Sequence, residues 1–283
     1  MAWISRGWKE YEVLDATQGL RLESWAGKLL VRPDPQVIWA TERKDPRWNR
    51  FDAKSHRSPT GGGRWEIRSL PESWLLHYKD DLTFHVKPMN FKHTGVFPEQ
   101  AANWDYIREK VEGAGRPVRV LNLFAYTGGA SLAACAAGAD TTHVDSVKQV
   151  VTWARENMEL SGLDGIRWIV EDALKFVQRE VRRGNRYHGI VLDPPAYGRG
   201  ANGEKWILED NICEMLECCA RLLEPRGAFL VLNLYSMGLS STLARTAVRQ
   251  AFGAPRTEQY GELCFTDRAG KQLPLGTYYR FTR

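Results

Sequence analysis

The stretch Asp193-Pro194-Pro195-Ala196-Tyr197-Gly198-Arg199-Gly200 follows the apolar run Gly189-Ile190-Val191-Leu192 without a break. Paired prolines end a strand ladder and hold the next residues extended, so the Asp193 carboxylate and the Pro194 carbonyl stand as two acceptors at the carboxyl end of a buried strand. Such a pair can take hydrogen bonds from an amine and aim its lone pair, while Tyr197 can stack on a splayed-out base. Asp-Pro also makes ordinary turns, but a plain turn rarely joins a buried strand to a glycine-flanked loop in this order. Two more carboxylates close strand-like runs upstream, Asp145 after Thr142-His143-Val144 and Asp172 after Arg167-Trp168-Ile169-Val170-Glu171. Either alone could cap the helix that follows. Two in succession after a glycine turn point to a bound adenosine, with Asp145 accepting from both ribose hydroxyls and Asp172 meeting the adenine amino group.

That turn lies in Val118 to Gly129, Val-Arg-Val-Leu-Asn-Leu-Phe-Ala-Tyr-Thr-Gly-Gly. Val118, Val120, Leu121 and Leu123 have the bias of a central parallel strand. Gly128 and Gly129 lack Cβ atoms, so a ligand can approach the backbone and the helix over Ala130 to Ala137 can press flat on the sheet. The opening N–H groups of that helix are free to hold a carboxylate or phosphate, so an anionic cofactor is expected.

The elements that must position these groups alternate strand and helix as in a doubly wound sheet. Val147, Val150, Val151, Ala154 and Met158 form one helix face. A later helix takes its apolar face from Trp206, Ile207, Met215, Leu216, Cys219, Leu222 and Leu223 and leads through Pro225-Arg226-Gly227 into a strand over Ala228 to Asn233. Gln259 to Phe265 and Thr277 to Phe281 read as a closing antiparallel hairpin. The first ninety residues differ, with short alternations at Tyr11–Leu14, Leu20–Glu23, Lys28–Arg32, Val37–Thr41, Arg64–Arg68, Trp74–His77 and Leu82–Val86 that predict strands. The fold class is therefore α/β, a Rossmann-like sheet over 91–283 behind a small β-rich substrate-recognition domain over 1–90. Within the latter, Arg47, Trp48, Arg50 and Phe51 precede Lys54, His56, Arg57 and the Gly61-Gly62-Gly63 loop. Guanidinium groups interleaved with aromatic rings could grip RNA phosphates and stack on an unpaired base, or the segment could be a solvated loop anchored by its aromatics. Asn90 to Gln100 joins the two parts. Its polar cluster Thr94, Glu99 and Gln100 precedes a helix in which Pro98 suits the first turn and Trp104, Ile107 and Val111 recur at helical spacing.

With 43% hydrophobic and 26% charged residues the chain is globular, and 283 residues suffice for one main core and a smaller domain. Met1 to Trp8 lacks the apolar core of a signal peptide and no window offers a membrane-spanning run, so a soluble, cytoplasmic protein is expected. Cys135, Cys213, Cys218, Cys219 and Cys264 are odd in number and contain no paired Cys-x-x-Cys, which argues against a disulfide framework and against a metal site. A net charge of +5 permits a nucleic-acid partner without requiring one.

These residues together resemble the class I S-adenosylmethionine-dependent methyltransferases. The chain is most similar to a group of large-subunit ribosomal RNA methyltransferases sharing an Asn-x-Phe-x-Tyr-Thr-Gly turn (here Asn122 to Gly128), an Asp-Pro-Pro motif (Asp193 to Pro195) and a Thr-Gly-x-Phe/Tyr-x-x-Gln lead-in (Thr94 to Gln100). The resemblance covers residues 84 to 283. It implies that Asn122, Phe124, Tyr126, Thr127 and Gly128 surround the methionine end of the cofactor, that Asp145 with Ser146 holds the ribose, and that Asp172 with Ala173 meets the adenine. Asn157 joins this set, and Thr94 and Gln100 close over the top. Asp193, Pro194 and Tyr197 would face the methyl group and the acceptor, which the resemblance makes a base in RNA, most simply ribosomal RNA.

Relatives that methylate carbon 5 of cytosine carry a thiolate nucleophile just after the strand matching Ala228 to Asn233. This chain reads Leu234-Tyr235-Ser236 there, and Ala196 rather than cysteine follows Pro195. Direct transfer to nitrogen or oxygen is therefore expected over the cysteine-assisted route. A protein or small-molecule acceptor is an alternative. A nicotinamide dehydrogenase would need Gly-x-Gly-x-x-Gly, and Phe124 to Gly129 supplies only the last Gly-Gly.

Overall fold

The computed structural model describes residues 2–5, 7–58, 62–89, 92–200, 203–235 and 238–283. Gly61 of the glycine loop, Asn90 of the lead-in and Ser236 at the cysteine position lie outside them.

The N-terminal strands are β1 (Ala2–Ile4), β2 (Tyr11–Thr17), β3 (Leu20–Trp25), β4 (Lys28–Pro33), β5 (Ala53–Arg57), β6 (Gly63–Ile67), β7 (Trp74–Tyr78) and β8 (Leu82–Val86). Strands β2 to β6 form a five-stranded sheet in sequential order, and β7 pairs with β8 as a hairpin. Two expectations are corrected here. Val37–Thr41 is not a strand. It buries Val37 and accepts bonds from Gly19 and Gln18 through the carbonyls of Val37 and Trp39, which ties it to the β2–β3 turn without a ladder. Conversely Ala53–Arg57, read as part of a basic loop, is β5. Its inward residues Ala53 and Ser55 are small, so the alternation carries almost no apolar signal.

The larger part runs α1 (Ala101–Glu112), β9 (Arg119–Leu123), α2 (Gly129–Ala136), β10 (Asp140–Asp145), α3 (Lys148–Leu160), β11 (Arg167–Val170), α4 (Ala173–Arg182), β12 (Gly189–Leu192), β13 (Tyr197–Arg199), β14 (Lys205–Ile207), α5 (Leu208–Leu222), β15 (Phe229–Leu234), α6 (Ser241–Phe252), β16 (Thr257–Thr266) and β17 (Gln272–Thr282). The central sheet has the order β1-β16-β17-β15-β12-β9-β10-β11. Strands β9, β10, β11, β12 and β15 pair in parallel, and β17 runs antiparallel to both β15 and β16. The order reverses at β9, which has β10 on one side and β12 on the other, and such a switch point opens a ligand crevice at the carboxyl ends of the strands. Trp206 and Ile207 belong to the β13–β14 hairpin rather than to the helix face expected for them, because α5 starts only at Leu208.

The two parts share packing. Tyr11, Trp25, Leu76, Tyr78 and Phe84 from the N-terminal strands join Trp104, Leu132, Ala133, Met158 and Leu273 in one apolar cluster. Strand β1 pairs in parallel with β16 at the edge of the central sheet.

Candidate functional site

Strand β9 runs into the turn Phe124 to Gly128, where Phe124, Tyr126 and Gly128 have φ of 55°, 49° and 94°. Two non-glycine residues in the left-handed region cost of order 1–3 kcal/mol each and persist only where the surroundings hold them. The holding groups are visible. Tyr126 N–H donates to Asp145 Oδ2 at 2.9 Å, the Thr127 hydroxyl donates to the Gly95 carbonyl, and Asn157 Nδ2 donates to the Thr127 carbonyl at 2.9 Å. Helix α2 then starts at Gly129 with no side-chain cap, so its first N–H groups have no acceptor within the helix. Gly129 and Ala130 line a pocket together with Gln100, Asn122, Phe124, Tyr126, Thr127, Asp193 and Asn233.

The glycines serve packing more than ligand access. A Cβ on Gly129 would stand 2.3 Å from the Trp104 ring, and one on Gly128 would stand 2.9 Å from Leu132. Trp104, itself a pocket wall, thus occupies the space that the sequence reading left for a ligand. Asn157 is spent in the same way. Its amide braces Thr127 and its carbonyl accepts from His85 N–H at 2.8 Å, so it holds the turn from behind. Asn122 lines the pocket while its amide donates to Ser131 Oγ at 2.9 Å.

Asp145 ends β10 with Oδ2 on Tyr126 and Oδ1 accepting from Val147 N–H at 3.0 Å. Burial raises its pKa, against the lowering effect of the Val147, Tyr126 and Ser146 backbone N–H groups. With about four lone-pair sites on the carboxylate and three backbone N–H groups on it, about one site is left for a hydroxyl. Asp172 is the N-cap of α4, accepting from Lys175 N–H at 2.9 Å through Oδ1, and Ala173 is the first, buried residue of that helix. Capping thus occupies one oxygen of Asp172. Thr94 is fully buried and its hydroxyl has no hydrogen-bond partner among the described residues, and Gln100 Oε1 accepts from Asn103 Nδ2 at 2.7 Å. Asn103 also lines the pocket, and its buried Oδ1 likewise has no partner among the described residues. An anion-seeking helix start and an orphaned buried amide oxygen around one pocket fit a zwitterionic nucleoside cofactor; Asp145 and Asp172 do not line that pocket, and Asp145 is joined to its wall through the bond to Tyr126.

Asp193 closes β12 at the pocket wall, and Asn233 Nδ2 on the neighbouring β15 donates to its Oδ1 at 2.8 Å. Burial pushes the Asp193 carboxyl up to about 6, opposed by the Asn233 bond. Glu99, buried beside it in the turn Pro98–Gln100, is pushed up to about 7 by burial. Trp206 Nε1 donates to the Pro195 carbonyl at 2.7 Å, and its ring meets Phe124 at 4.8 Å, which clamps the proline loop to the glycine turn. Tyr197 is half exposed on β13, its hydroxyl accepting from Arg199 Nε at 2.9 Å. Asn233 and Trp206 were not singled out for the site from sequence. The signal for Asn233 was a polar residue near the end of a buried run, but its partner lies forty positions away.

The basic segment is rearranged relative to expectation. Trp48 and Phe51 are 5% and 8% exposed and pack with Leu14, Leu22 and Val31, and Trp48 Nε1 donates to Asp15 at 2.8 Å. Arg43 covers the Trp48 ring and Arg68 the Phe51 ring. The two rings are therefore anchors, not platforms for a base. Arg47 is held by Asp45 at 2.5 Å, and Arg50 is exposed. None of the four lines the pocket. Among the described residues no group of histidines, cysteines and carboxylates is placed to hold a metal ion, and no helix is long and apolar enough to cross a membrane.

A family model described as S-adenosylmethionine-dependent methyltransferase matches residues 48–263. The crystal structure of the SAM-dependent methyltransferase from Agrobacterium tumefaciens aligns with a TM-score of 0.94 and 39% identity, covering 100% of this chain and 93% of that one. A methyltransferase solved in complex with SAH aligns with a TM-score of 0.73 at 16% identity over 98% of this chain and 76% of that one, a likeness of fold alone. In sequence, the ribosomal RNA large subunit methyltransferase K/L of Shewanella frigidimarina is 28% identical over 211 residues, which are 73% of this chain but 27% of that protein. Ribosomal RNA large subunit methyltransferase I of Aeromonas salmonicida is 28% identical over 203 residues, 67% of this chain and 47% of that protein. The chain thus spans about a quarter of the K/L relative and about half of the second.

Proposed function

The chain belongs to the S-adenosylmethionine-dependent methyltransferases, and from that premise we propose that it methylates a base in RNA, ribosomal RNA first, by direct transfer to nitrogen or oxygen. The likeness to proteins named for large-subunit ribosomal RNA supports the substrate class. The observation that carries the chemistry is the Asp193–Asn233 pair at the pocket wall.

Bound S-adenosylmethionine supplies an electrophilic methyl on a sulfonium that leaves readily. The chain's own residues then need only hold, align and dry the acceptor. In this reading the open N–H groups of α2 receive the cofactor carboxylate, Asp145 with Ser146 the ribose, and Asp172 and Ala173 the adenine, while Thr94 and Gln100 cover it. Asn233 fixes one oxygen of Asp193, which leaves the other oxygen and the Pro194 carbonyl to accept hydrogen bonds from the acceptor group. Tyr197 stacks on the extruded base, and the N-terminal β region carries the rest of the RNA.

The described cysteines support the direct route. Burial raises the pKa of Cys135, Cys218, Cys219 and Cys264, which keeps these thiols protonated, and Cys213 is exposed on α5. None lines the pocket. Incubation with S-adenosylmethionine and RNA containing 5-fluorocytosine tests this. The expected result is methylation of unmodified RNA, located by nucleoside mass spectrometry, with no denaturant-resistant protein–RNA complex. A trapped complex would restore the carbon-5 route, and absence of any methylated nucleoside would move the acceptor outside RNA.

A further inference from the structure

The rim of the central sheet opposite the crevice carries a row of arginines. Taken across the sheet in the order β16, β17, β15, β12, β9, β10 and β11, the residues at or just outside that rim are Arg256, Arg283, Arg226, Arg186, Arg119, Asp140 and Arg167. All these strands start there except β17, which ends there. With neighbouring strands about 4.8 Å apart, the row runs for roughly 29 Å. The five residues of β9, roughly 16 Å of strand, separate it from the turn at Phe124, so it is no part of the pocket.

Backbone carbonyls stitch the row together. Arg119 Nη1 donates to the Arg186 carbonyl at 3.0 Å, and Arg186 Nη1 and Arg283 Nη2 share the Leu223 carbonyl at 3.4 and 2.5 Å. Arg116 Nη2 donates to the Arg226 and Gly227 carbonyls at 3.2 and 3.0 Å. A carbonyl is neutral, so these bonds fix the guanidinium groups without cancelling their charge. Arg226 and Arg256 are exposed, and their guanidinium groups make no hydrogen bond or ion pair among the described residues. Arg116, Arg119, Arg167, Arg186, Arg226 and Arg256 stand against three acids, Asp140, Asp164 and Glu224, while Glu180 beneath them is buried and bonded to Arg183. The crowding of like charges shows in His188, whose pKa is lowered by burial and then by Arg116 and Arg119. Complementing the negative end of a helix accounts for Arg186 and Arg283, which touch carbonyls at the end of α5, but not for Arg226 and Arg256.

A row rather than a pocket suits a polymer of anions over a single phosphate. A protein partner asks for an apolar centre, and none of the exposed large hydrophobic residues falls in the segments 116–119, 164–167, 186–188, 224–228 or 254–257. Base reading asks for exposed rings, and Tyr187, 4.9 Å beneath Arg119, is buried. A sugar–phosphate backbone meets neither demand and is bound by guanidinium groups whatever its sequence.

We propose that this rim is a docking surface for the phosphate backbone of RNA, holding a part of the substrate away from the base that enters the crevice. The choice of RNA rests on the RNA methyltransferase reading above. The test is a salt series of fluorescence anisotropy with labelled oligouridine and the full chain saturated with S-adenosylhomocysteine. Arg226→Ala should reduce the magnitude of the log–log salt slope by about 0.7, and the Arg226→Ala, Arg256→Ala double variant by about 1.4. The Arg226→Lys, Arg256→Lys double variant keeps both charges and should keep the slope. Oligoadenosine should show the same losses, and calorimetry should show S-adenosylhomocysteine binding unchanged throughout. No binding of oligouridine by the parent, a slope unchanged in the double alanine variant, or a slope lost equally in the double lysine variant overturns the surface. An unchanged oligouridine slope together with weakened binding of labelled polyglutamate would assign the rim to an acidic protein and overturn it as well. A parent that shows these slopes but whose RNA yields no methylated nucleoside by mass spectrometry supports the surface and overturns the RNA methyltransferase reading. Methylated RNA with an unchanged slope does the reverse.

Discussion

Burial lifts the Asp193 carboxyl from its ordinary 3.8 to about 6, and the Asn233 amide pulls it down. A carboxyl whose folded pKa is raised holds its proton more tightly in the folded protein. Its contribution to stability is complete below the unfolded value and is lost as pH rises through the folded one. Ionised Asp193 is thus a strain at neutral pH, which hydrogen bonds from an acceptor would relieve. Asp193→Asn is expected to raise the melting temperature at neutral pH, with the gain shrinking as pH falls through about 6 and lost below the ordinary 3.8. It should keep cofactor affinity and lower kcat, because its bonds matter as the acceptor is aligned. In the parent, kcat should rise through about 6, and Asn233→Leu should move that limb to higher pH by removing the bond that lowers the Asp193 pKa. A flat profile, or a limb that Asn233→Leu leaves in place, would remove Asp193 from the chemistry. At this scale the Asp-Pro-Pro motif was legible because proline chemistry is local. Asn233 was not, since nothing local to Leu232-Asn233 announces a partner at the end of another strand.

Elements were legible where an apolar period was strong and illegible where small or amphipathic residues did the packing. Strands β9 and β12 announce themselves through valine, isoleucine and leucine, and the closing hairpin through leucine, tyrosine and phenylalanine. Strand β5 hides behind Ala53 and Ser55, and Trp206 reads as one more apolar residue of a helix although it clamps a loop. That clamp makes an element-scale prediction. Trp206→Phe keeps an aromatic ring against Phe124 but removes the donor to the Pro195 carbonyl, a bond worth about 1 kcal/mol net. Urea unfolding should show a loss of that order, while single-turnover methyl transfer slows by more than the stability change alone explains, because the Asp193–Pro194 segment loses its anchor. A transfer rate equal to the parent's would mean that the paired prolines hold the loop unaided.

At the scale of the whole molecule, the N-terminal strands and the central sheet meet in the cluster that joins Tyr78 and Phe84 to Trp104 and Leu132. A sequence reading by texture separates these regions because their periods differ, and it has no means of seeing that apolar residues of both point into one core. The same reading grouped Arg47, Trp48, Arg50 and Phe51 as one surface, whereas folding divides them. The rings go inward, Arg47 is tied to Asp45, and Arg50 is left to solvent. With a net charge of +5 spread over the chain, RNA affinity should fall with salt, and the slope should count the phosphates engaged. If the segment contacts RNA, Arg50→Ala should reduce the magnitude of the log–log salt slope by about 0.7, the value for one phosphate of a single strand. Arg47→Ala should change it less, because its charge is already met by Asp45 at 2.5 Å. The measurement is a salt series of RNA binding by fluorescence anisotropy in the presence of S-adenosylhomocysteine. A slope unchanged in the Arg47→Ala, Arg50→Ala double variant would assign the segment to holding β2, β3 and β4 together through Trp48 and Phe51, and would leave phosphate binding to other cations.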